Sequence, residues 1–439
     1  MPSTVPNRGA SRSHVGKLGA FALILMLAGC RSGASPSTVV EFWAMGREGE
    51  VVQRLVPEFE RRAPGIRVRV QQIPWSAAHE KLLTAYVGGV MPDIFQVGNT
   101  WIPEFAALEA LEPLNARMAG SAAVVVPDYF PGILDANVID GTTYGAPWYV
   151  DTRLLFYRTD ILQQVGYLEP PETWEQWLDV MLRIKQRGTN QYAIFVPTSE
   201  WQTPVILAFQ LAASLLRDHD QYGNFGSPPF RTAFQFYVDW FRHGLVPRNG
   251  EAQIANLYQD FANAYFALYI SGPWNIGEFT DRLPASVADR WSTAPLPGPD
   301  DSHPGVSIAG GASLGLCRTS PRKDAAWRWI EDLAAPAQQI EVYRLTGDLP
   351  PRQSAWSDRT LADNRYAQAF WKQLQHVRPT PKIPEWERIA NTIVEYADAA
   401  IRGTLTVDAA LAALDRDVDA ILEKRRWLLR RSHAIDERS

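Results

Sequence analysis

The stretch VVEFWAMGREGEVVQRLVPEFERRAPGIRVRV, residues 39–70, decides the fold. It begins with a β-rich segment and continues as a helix from about Glu48, with apolar side chains at helical spacing until Pro64-Gly65 ends it. The segment IRVRVQQI (66–73) alternates apolar and polar side chains, which is typical of a strand. A helix over about 76–87 and the strand DIFQV (93–97) follow. Alternating strands and helices predict right-handed crossovers and a mainly parallel sheet.

A second strand–helix series follows a predicted hairpin around Asp140-Gly141. It starts at RLLFYR (153–158), and Thr173 with Gln176 predicts a capping box at the start of its first long helix. Breaks near 147–152 and 271–275 predict an α/β fold of two lobes joined by more than one crossing segment. The C-terminal third is predicted to be mostly helical, over 322–335, 361–377, 385–402 and 407–427.

The N-terminus has the pattern of a secretory signal. Basic residues without acids are followed by an apolar run from Leu18 to Ala28 that is too short to span a bilayer comfortably. The run ends at Leu27-Ala28-Gly29-Cys30, which resembles a bacterial lipobox at all four positions, and this resemblance implies acylation of Cys30. We therefore predict a lipoprotein signal peptide over 1–30 and a flexible tether over 31–38. An ordinary cleaved signal or an uncleaved anchor, with Cys30 incidental, is the alternative.

Composition argues against several classes of function. The net charge of −5 provides no basic footprint for nucleic acid. The seven histidines are scattered and the chain has only two cysteines, which argues against a His/Cys metal site, and no phosphate-binding or nucleophile-elbow motif is present. We expect no cofactor and no metal. A glycosidase pair of carboxylates stays open, because spacing in sequence cannot reveal it. The 16 tryptophans suggest surfaces on which sugars stack, although core packing could also use them.

Several segments in this order resemble the family 1 extracellular solute-binding proteins of ABC sugar importers. The segments that carry the resemblance best are MPDIF, YGAPWYVDTRLLFYR, SGPWNIG and TGDLPPR. The resemblance implies a periplasmic-binding-protein fold with a cleft between two lobes and a multi-segment hinge. It places 39–148 plus about 275–335 in the N-terminal lobe and 149–274 plus about 336–430 in the C-terminal lobe, with a polar tail over 431–439.

The resemblance also implies a function and partners. We expect a monomeric, lipid-anchored receptor that faces the periplasm, catalyses no reaction, and delivers its ligand to an ABC permease pair with a cytoplasmic ATPase. The expected ligand is a neutral di- or oligosaccharide of the maltose/trehalose class. A non-sugar solute such as a polyamine or glycerol phosphate is one alternative. A secreted glycoside hydrolase that uses two carboxylates among Glu48, Asp93, Asp151 and Glu200 is another.

Candidate ligand contacts follow from position and side-chain chemistry. Aromatic rings stack on the apolar face of a pyranose, carboxylates accept two hydroxyl hydrogen bonds, and glycines allow the backbone to approach a sugar closely. An arginine forks onto adjacent hydroxyls, and carboxyl ends of parallel strands are where α/β folds bind ligands. Competing structural roles, such as helix caps, core filling and surface ion pairs, are open for each. The candidates are Glu48, His79, Asn99, Trp101, Tyr149, Asp151, Trp201, Trp274, Gly310, Gly311 and Arg352.

Overall fold

The computed structural model describes residues 37–247 and 257–436. The predicted signal peptide with Cys30, nearly all of the predicted tether and the last three residues lie outside the described residues. Within the described residues, no helix has the length and apolar character needed to cross a bilayer. The predicted polar tail begins inside a helix, because residues 431–436 continue the last helix of the chain.

The first sheet has five strands. Its first three neighbours are parallel, as the opening stretch of sequence predicts. The fourth strand, Gly310–Leu316, is antiparallel to the strands on both sides of it. The strand order across the sheet is Ile66–Ile73, Thr38–Met45, Ile94–Gly98, Gly310–Leu316 and Gly145–Asp151.

The second sheet has four strands and begins where the first sheet ends. The chain leaves the first sheet at Asp151 and enters the second at Leu154. The pairing in this sheet is mixed, with two antiparallel ladders and one parallel ladder. The order across the sheet is Trp291–Ala294, Leu154–Arg158, Leu268–Ser271 and Ile194–Phe195. We call the part built on the first sheet lobe 1 and the part built on the second sheet lobe 2.

The strand Trp291–Ala294 corrects the predicted lobe boundaries. Sequence analysis places 275–335 in the N-terminal lobe, yet this strand pairs with Leu154–Arg158 in lobe 2. The Trp291 ring stacks on Tyr366 at a centroid distance of 3.8 Å and on Phe156 at 6.0 Å. Because this indole is buried among aromatic rings of lobe 2, the chain stays in lobe 2 beyond residue 275. The chain returns to the first sheet only at Gly310.

Short strand pairs complete the β-structure. The predicted hairpin at Asp140-Gly141 is present, and both residues have positive φ, at 48° and 77°. The pairs are Val138–Ile139 with Thr142–Thr143, Leu216–Arg217 with Tyr222–Gly223, and Ser307–Ile308 with Val377–Arg378.

Helices surround the sheets and form most of the C-terminal third, as predicted. At the helix that starts at Trp174, the Thr173 side chain accepts a hydrogen bond from the Gln176 backbone N–H at 3.3 Å. The Gln176 side chain accepts from Glu172 at 2.9 Å rather than from Thr173, so half of the predicted capping box forms. The α-helices are Gly46–Val51, Val56–Arg62, Trp75–Val87, Ile102–Ala107, Asn115–Ala119, Pro131–Asp135, Thr159–Gln164, Trp174–Lys185, Gln202–Gln210, Pro228–Arg242, Leu257–Ala262, Trp274–Arg282, Lys323–Ala334, Pro336–Thr346, Arg359–Ala362, Arg365–Leu374, Trp386–Arg402, Val407–Ile421 and Glu423–Asp436.

Candidate functional site

A cavity of about 540 Å³ lies between the elements of the two lobes. Lobe 1 lines it with the ends of strands and with the turn that follows Ile94–Gly98, and lobe 2 lines it with the first residues of helices. Of the eleven candidate residues, His79 and Arg352 do not line it. The other nine do, and they are Glu48, Asn99, Trp101, Tyr149, Asp151, Trp201, Trp274, Gly310 and Gly311.

Four indole rings and the phenol of Tyr149 form the aromatic part of the lining. Trp75 and Trp101 come from lobe 1 and meet edge to face with a centroid distance of 5.7 Å. Trp201 and Trp274 come from lobe 2, and Trp201 meets the buried ring of Trp386 at 5.2 Å. Rings that pack against other rings lose little freedom when a ligand arrives, so this wall is ready to stack on an apolar ligand face.

Arg153 and Gly272 both contribute to the position of the Trp274 ring. The Arg153 guanidinium carbon lies 4.7 Å from the centre of the Trp274 ring. A Cβ atom at Gly272 would lie 1.9 Å from this ring, so only glycine fits there. Arg153 also lies between two carboxylates, with Nε 3.9 Å from Oδ1 of Asp151 and Nη2 3.5 Å from Oε2 of Glu200. Burial raises the pKa of Asp151, and the Arg153 charge partly offsets that rise.

Two buried carboxyl groups meet on the lobe 1 side. Glu48 and Asp348 are 8% and 5% exposed, and both line the cavity. Burial and the neighbouring Glu48 charge raise the pKa of Asp348 well above its usual value. The indole N–H of Trp75 donates to Oε2 of Glu48 at 3.4 Å. The Tyr149 hydroxyl accepts from Nε2 of Gln96 at 3.1 Å, and burial with the nearby carboxylates raises its pKa.

The side chain of Asn99 forms hydrogen bonds within the protein. Its Nδ2 donates to the carbonyl oxygen of Gly310 at 3.2 Å, and its Oδ1 accepts from the Ser313 hydroxyl at 2.8 Å. Gly311 has φ of +122°, and a Cβ there would lie 2.3 Å from the Tyr149 carbonyl oxygen. Asn99 therefore positions the glycine strand, and the glycines are required by the close approach of two backbones.

His79 lies behind the aromatic wall rather than in it. Its Nε2 is 2.6 Å from Oε2 of Glu104, and its ring is 5.0 Å from the Trp101 ring. The hydrogen bond to Glu104 raises the pKa of His79, and burial opposes that rise. Glu387 is hydrogen-bonded to Thr100, and burial raises its pKa. It lies near His79 and Glu104 and also lines the cavity, so it connects these two residues to the lining. His79 thus supports Trp101 and has no place in the lining itself.

Arg352 is the second candidate that does not line the cavity, because its side chain binds groups elsewhere in the protein. Its Nε donates to Oδ2 of Asp128 at 2.6 Å, and its Nη1 donates to the carbonyl oxygens of Ala123 and Ala334 at 2.5 and 3.2 Å. The side chain is 5% exposed. The guanidinium binds these acceptors and does not line the cavity, so the structure does not support the predicted ligand contact.

Several residues that line the cavity were not among the candidates predicted from the sequence. Asp348 lies in TGDLPPR, four positions before Arg352, and it lines the cavity whereas Arg352 does not. Arg47 also lines the cavity, and its guanidinium donates to the carbonyl oxygen of Leu345 at 3.2 and 3.1 Å. No sequence signal distinguishes the remaining lining residues, because they come together only in the fold: Gly98, Thr100, Gln202, Ile308, Ala309, Thr380 and Glu387.

Comparisons with known proteins match most of the chain. The family model for bacterial extracellular solute-binding proteins matches residues 44–340. The solved structure of the sugar-binding protein MalE from Xanthomonas citri is 48% identical, covers 90% of this chain and 99% of its own, and superposes with a TM-score of 0.86. A Thermotoga lettingae solute-binding protein bound with α-D-tagatose is 25% identical over 88% of this chain and 100% of its own, with a TM-score of 0.76. The diacetylchitobiose-binding protein DasA of Streptomyces coelicolor is 25% identical over 81% of this chain and 83% of its own.

Proposed function

Because the chain belongs to the family of bacterial extracellular solute-binding proteins, we propose that it is the substrate-binding receptor of an ABC importer. In this proposal it captures a neutral di- or oligosaccharide of the maltose/trehalose class and delivers it to a membrane permease pair driven by a cytoplasmic ATPase. The similarity to the sugar-binding protein MalE supports a sugar as ligand. The proposal includes a monomeric receptor that performs no bond chemistry and is anchored to the membrane through acylated Cys30.

The observation that carries the proposal is the composition of the cavity lining. Four indole rings surround a space of about 540 Å³ that also contains carboxyl groups. Indoles stack on the apolar C–H face of a pyranose, and carboxylates accept hydrogen bonds from its hydroxyls. The volume is within the range of about 300–1,000 Å³ that small-molecule sites occupy. A saccharide supplies both kinds of surface at once.

The side chains that line the cavity come from both lobes, and this arrangement provides a way to capture the ligand. Glu48, Tyr149 and Trp101 belong to lobe 1, while Trp201 and Trp274 belong to lobe 2. A ligand shifts an open–closed equilibrium only by its preference for one state. A saccharide that touches both groups gains its full contacts only when the lobes are together, so binding favours the closed form that the permease would recognise.

A thermal-shift screen tests the proposal. The chain without its predicted signal peptide is heated with maltose, trehalose, sucrose, maltotriose, putrescine or glycerol 3-phosphate. A ligand at 100 times its dissociation constant stabilises the protein by about 2.7 kcal/mol, which raises the melting temperature visibly. We expect a rise with at least one of the sugars and its loss in Trp274→Ala and Asp151→Ala. A rise only with putrescine or glycerol 3-phosphate would leave the fold assignment intact and contradict the ligand class.

A further inference from the structure

The last helix, Glu423–Asp436, carries a dense run of basic residues. Its segment KRRWLLRR, residues 424–431, contains five cations and no acid, in a chain whose net charge is −5. The residues that line the proposed ligand cavity include none of these eight. Sugar binding therefore does not account for this segment.

One side of this helix is fixed to lobe 2. Leu422, immediately before the helix, is fully buried in the lobe 2 core. Nη1 of Arg425 lies 4.0 Å from Oε2 of Glu385, and Nη2 of Arg426 donates to the carbonyl oxygen of Asp419 at 2.7 Å. Spacings of three and four residues place Leu422, Arg425 and Arg426 on the same side of the helix, and this side faces the protein.

The opposite side of the helix combines exposed apolar and basic side chains. Lys424, Trp427, Leu428 and Arg431 have the spacing of one helical face, and we call these four residues the outward face. Trp427 and Leu428 are 48% and 49% exposed, and both cationic side chains are exposed as well. The Arg431 guanidinium carbon lies 4.6 Å from the centre of the Trp427 ring.

An anionic lipid surface fits the chemistry of the outward face. Tryptophan favours the headgroup level of a bilayer, because its ring is apolar and its N–H is polar. Each cation near an anionic membrane strengthens adsorption by about fivefold, which is about 1 kcal/mol. The exposed Arg430, next to the outward face, adds a third cation to Lys424 and Arg431. Because the whole chain is acidic, this helix is attracted to such a membrane more strongly than the average surface of the protein.

A protein partner fits the outward face less well. A stable protein interface takes about 20–30 residues on each side, whereas the outward face consists of four residues on one helix. Adsorption to lipid does not need such an area, since contributions from single side chains add. With acylated Cys30 as proposed, the membrane is held next to the receptor, so weak adsorption is sufficient.

We propose that the outward face of the last helix adsorbs to an anionic lipid surface and holds lobe 2 against the membrane. The predicted tether leads into the first strand of lobe 1, Thr38–Met45, whereas the last helix packs on lobe 2. Two membrane contacts, one for each lobe, restrict the orientation of the receptor more than a single tether does. This inference goes beyond the proposed function and does not depend on the identity of the ligand.

Vesicle co-sedimentation tests the proposal. The chain without residues 1–30 lacks Cys30 and carries no acyl group, so adsorption reports on the protein surface alone. It is mixed with vesicles of phosphatidylcholine, either pure or with about 30% phosphatidylglycerol, at about 0.05 M and about 0.5 M NaCl. We expect at least about 10-fold stronger partition onto the anionic vesicles at low salt, and loss of most of this difference at high salt. Equal partition onto both kinds of vesicle, or no adsorption to either, would overturn the proposal.

Variants assign the adsorption to the outward face. The triple variant Lys424→Gln, Arg430→Gln, Arg431→Gln should weaken partition onto anionic vesicles by about 100-fold, because three cations are lost. Trp427→Ala should weaken it by about fivefold at both salt concentrations, because salt does not screen an apolar contact. Unchanged partition in both variants would contradict the proposal.

Leu168→Ser is the matched control. It removes a leucine that is 83% exposed and is followed by Glu169 instead of a basic residue, so partition onto anionic vesicles should not change. Melting curves confirm that each variant folds. An equal loss of partition in this control would show that exposed leucines in general cause the adsorption, and the outward face would have no special role.

Sedimentation velocity without lipid distinguishes a second copy of the chain from a membrane. If Trp427→Ala converted a dimer to a monomer and left vesicle partition unchanged, the outward face would be an interface between copies and the proposal would be wrong. The thermal-shift screen contains no lipid and the vesicle assay contains no sugar. Failure of the sugar screen therefore contradicts the proposed function alone, and failure of the vesicle assay contradicts this inference alone.

Discussion

The Nε atom of Arg352 donates to Oδ2 of Asp128 at 2.6 Å, and this ion pair lies outside the cavity that nine of the other candidate residues line. The same guanidinium reaches the Ala334 carbonyl oxygen at the end of the helix Lys323–Ala334. Arg352 therefore joins the loop after Pro336–Thr346 to two earlier segments of the chain. Its role in the structure is to hold these segments together.

Arg352→Met should lower the free energy of unfolding by about 3–5 kcal/mol, because it leaves Asp128 without its buried partner. Affinity for the sugar should stay within a factor of about two. Urea denaturation and calorimetric titration measure the two effects. Arg344→Met is the control, since its exposed side chain should contribute no more than about 0.5 kcal/mol. Weaker binding at unchanged stability would return Arg352 to the binding site.

Gly311→Ala should destabilise the protein by about 2–4 kcal/mol. The residue has φ of +122°, and the added Cβ would lie 2.3 Å from the Tyr149 carbonyl oxygen, so the strand must move. Gly277→Ala is the matched control, because a Cβ at this helical glycine meets nothing within 4 Å and alanine favours the helix. Chemical denaturation should show a loss for the first variant and no loss for the second. Equal stabilities would mean that the two backbones are not held this closely.

Trp274→Ala should weaken sugar binding by about 30-fold, or about 2 kcal/mol, because it removes a lining ring that is already held against Arg153. Trp427→Ala, which truncates an exposed indole on the last helix, should bind normally. Calorimetric titration compares the two variants. Full affinity in Trp274→Ala would remove this ring from the list of ligand contacts.

The His79–Glu104 interaction should make stability depend on pH. The pKa of His79 is raised in the folded protein above the usual value of 6.5, so its contribution is complete below that value and is lost as the pH rises through the folded pKa. The difference in unfolding free energy between the unaltered protein and His79→Gln should therefore be larger at pH 5.5 than at pH 8.5. His243→Gln, at an exposed helix end, is the control. A difference that grows toward pH 8.5 would contradict the assigned pairing.

Sequence reasoning recovered features that local chemistry determines. The strand–helix alternation after residue 38 gives the parallel part of the first sheet, and Asp140-Gly141 gives the hairpin. Of the four predicted C-terminal helices, 322–335 and 385–402 are present as Lys323–Ala334 and Trp386–Arg402. The predicted helices 361–377 and 407–427 are each interrupted, near residues 363 and 422, and form two helices apiece. These features depend on residues close together in the chain, so periodicity and turn chemistry suffice to find them.

The errors arise where distant segments compete for one side chain. Nothing near Arg352 in sequence reveals that Asp128, more than 200 positions earlier, takes its guanidinium. Tryptophan content points equally to sugar contact and to core packing, and the structure uses it for both: Trp274 lines the cavity while Trp177 and Trp291 are fully buried. Burial and partner choice are properties of the whole fold, so a single sequence cannot assign them.

The position of the strand Gly310–Leu316 has a consequence for how the molecule assembles. Among the residues that the structure describes, this strand is the only hydrogen-bonded link in the first sheet between Ile94–Gly98 and Gly145–Asp151. That sheet therefore stays in two pieces until residue 316 is in place. The strands of the second sheet, from residue 154 to 294, are all available earlier in the chain. Pairing over such long sequence separations slows folding. The strands of lobe 2 lie in sequence between two strands of the first sheet, so lobe 2 can form its sheet first. The first sheet is completed late in the folding of the newly made chain.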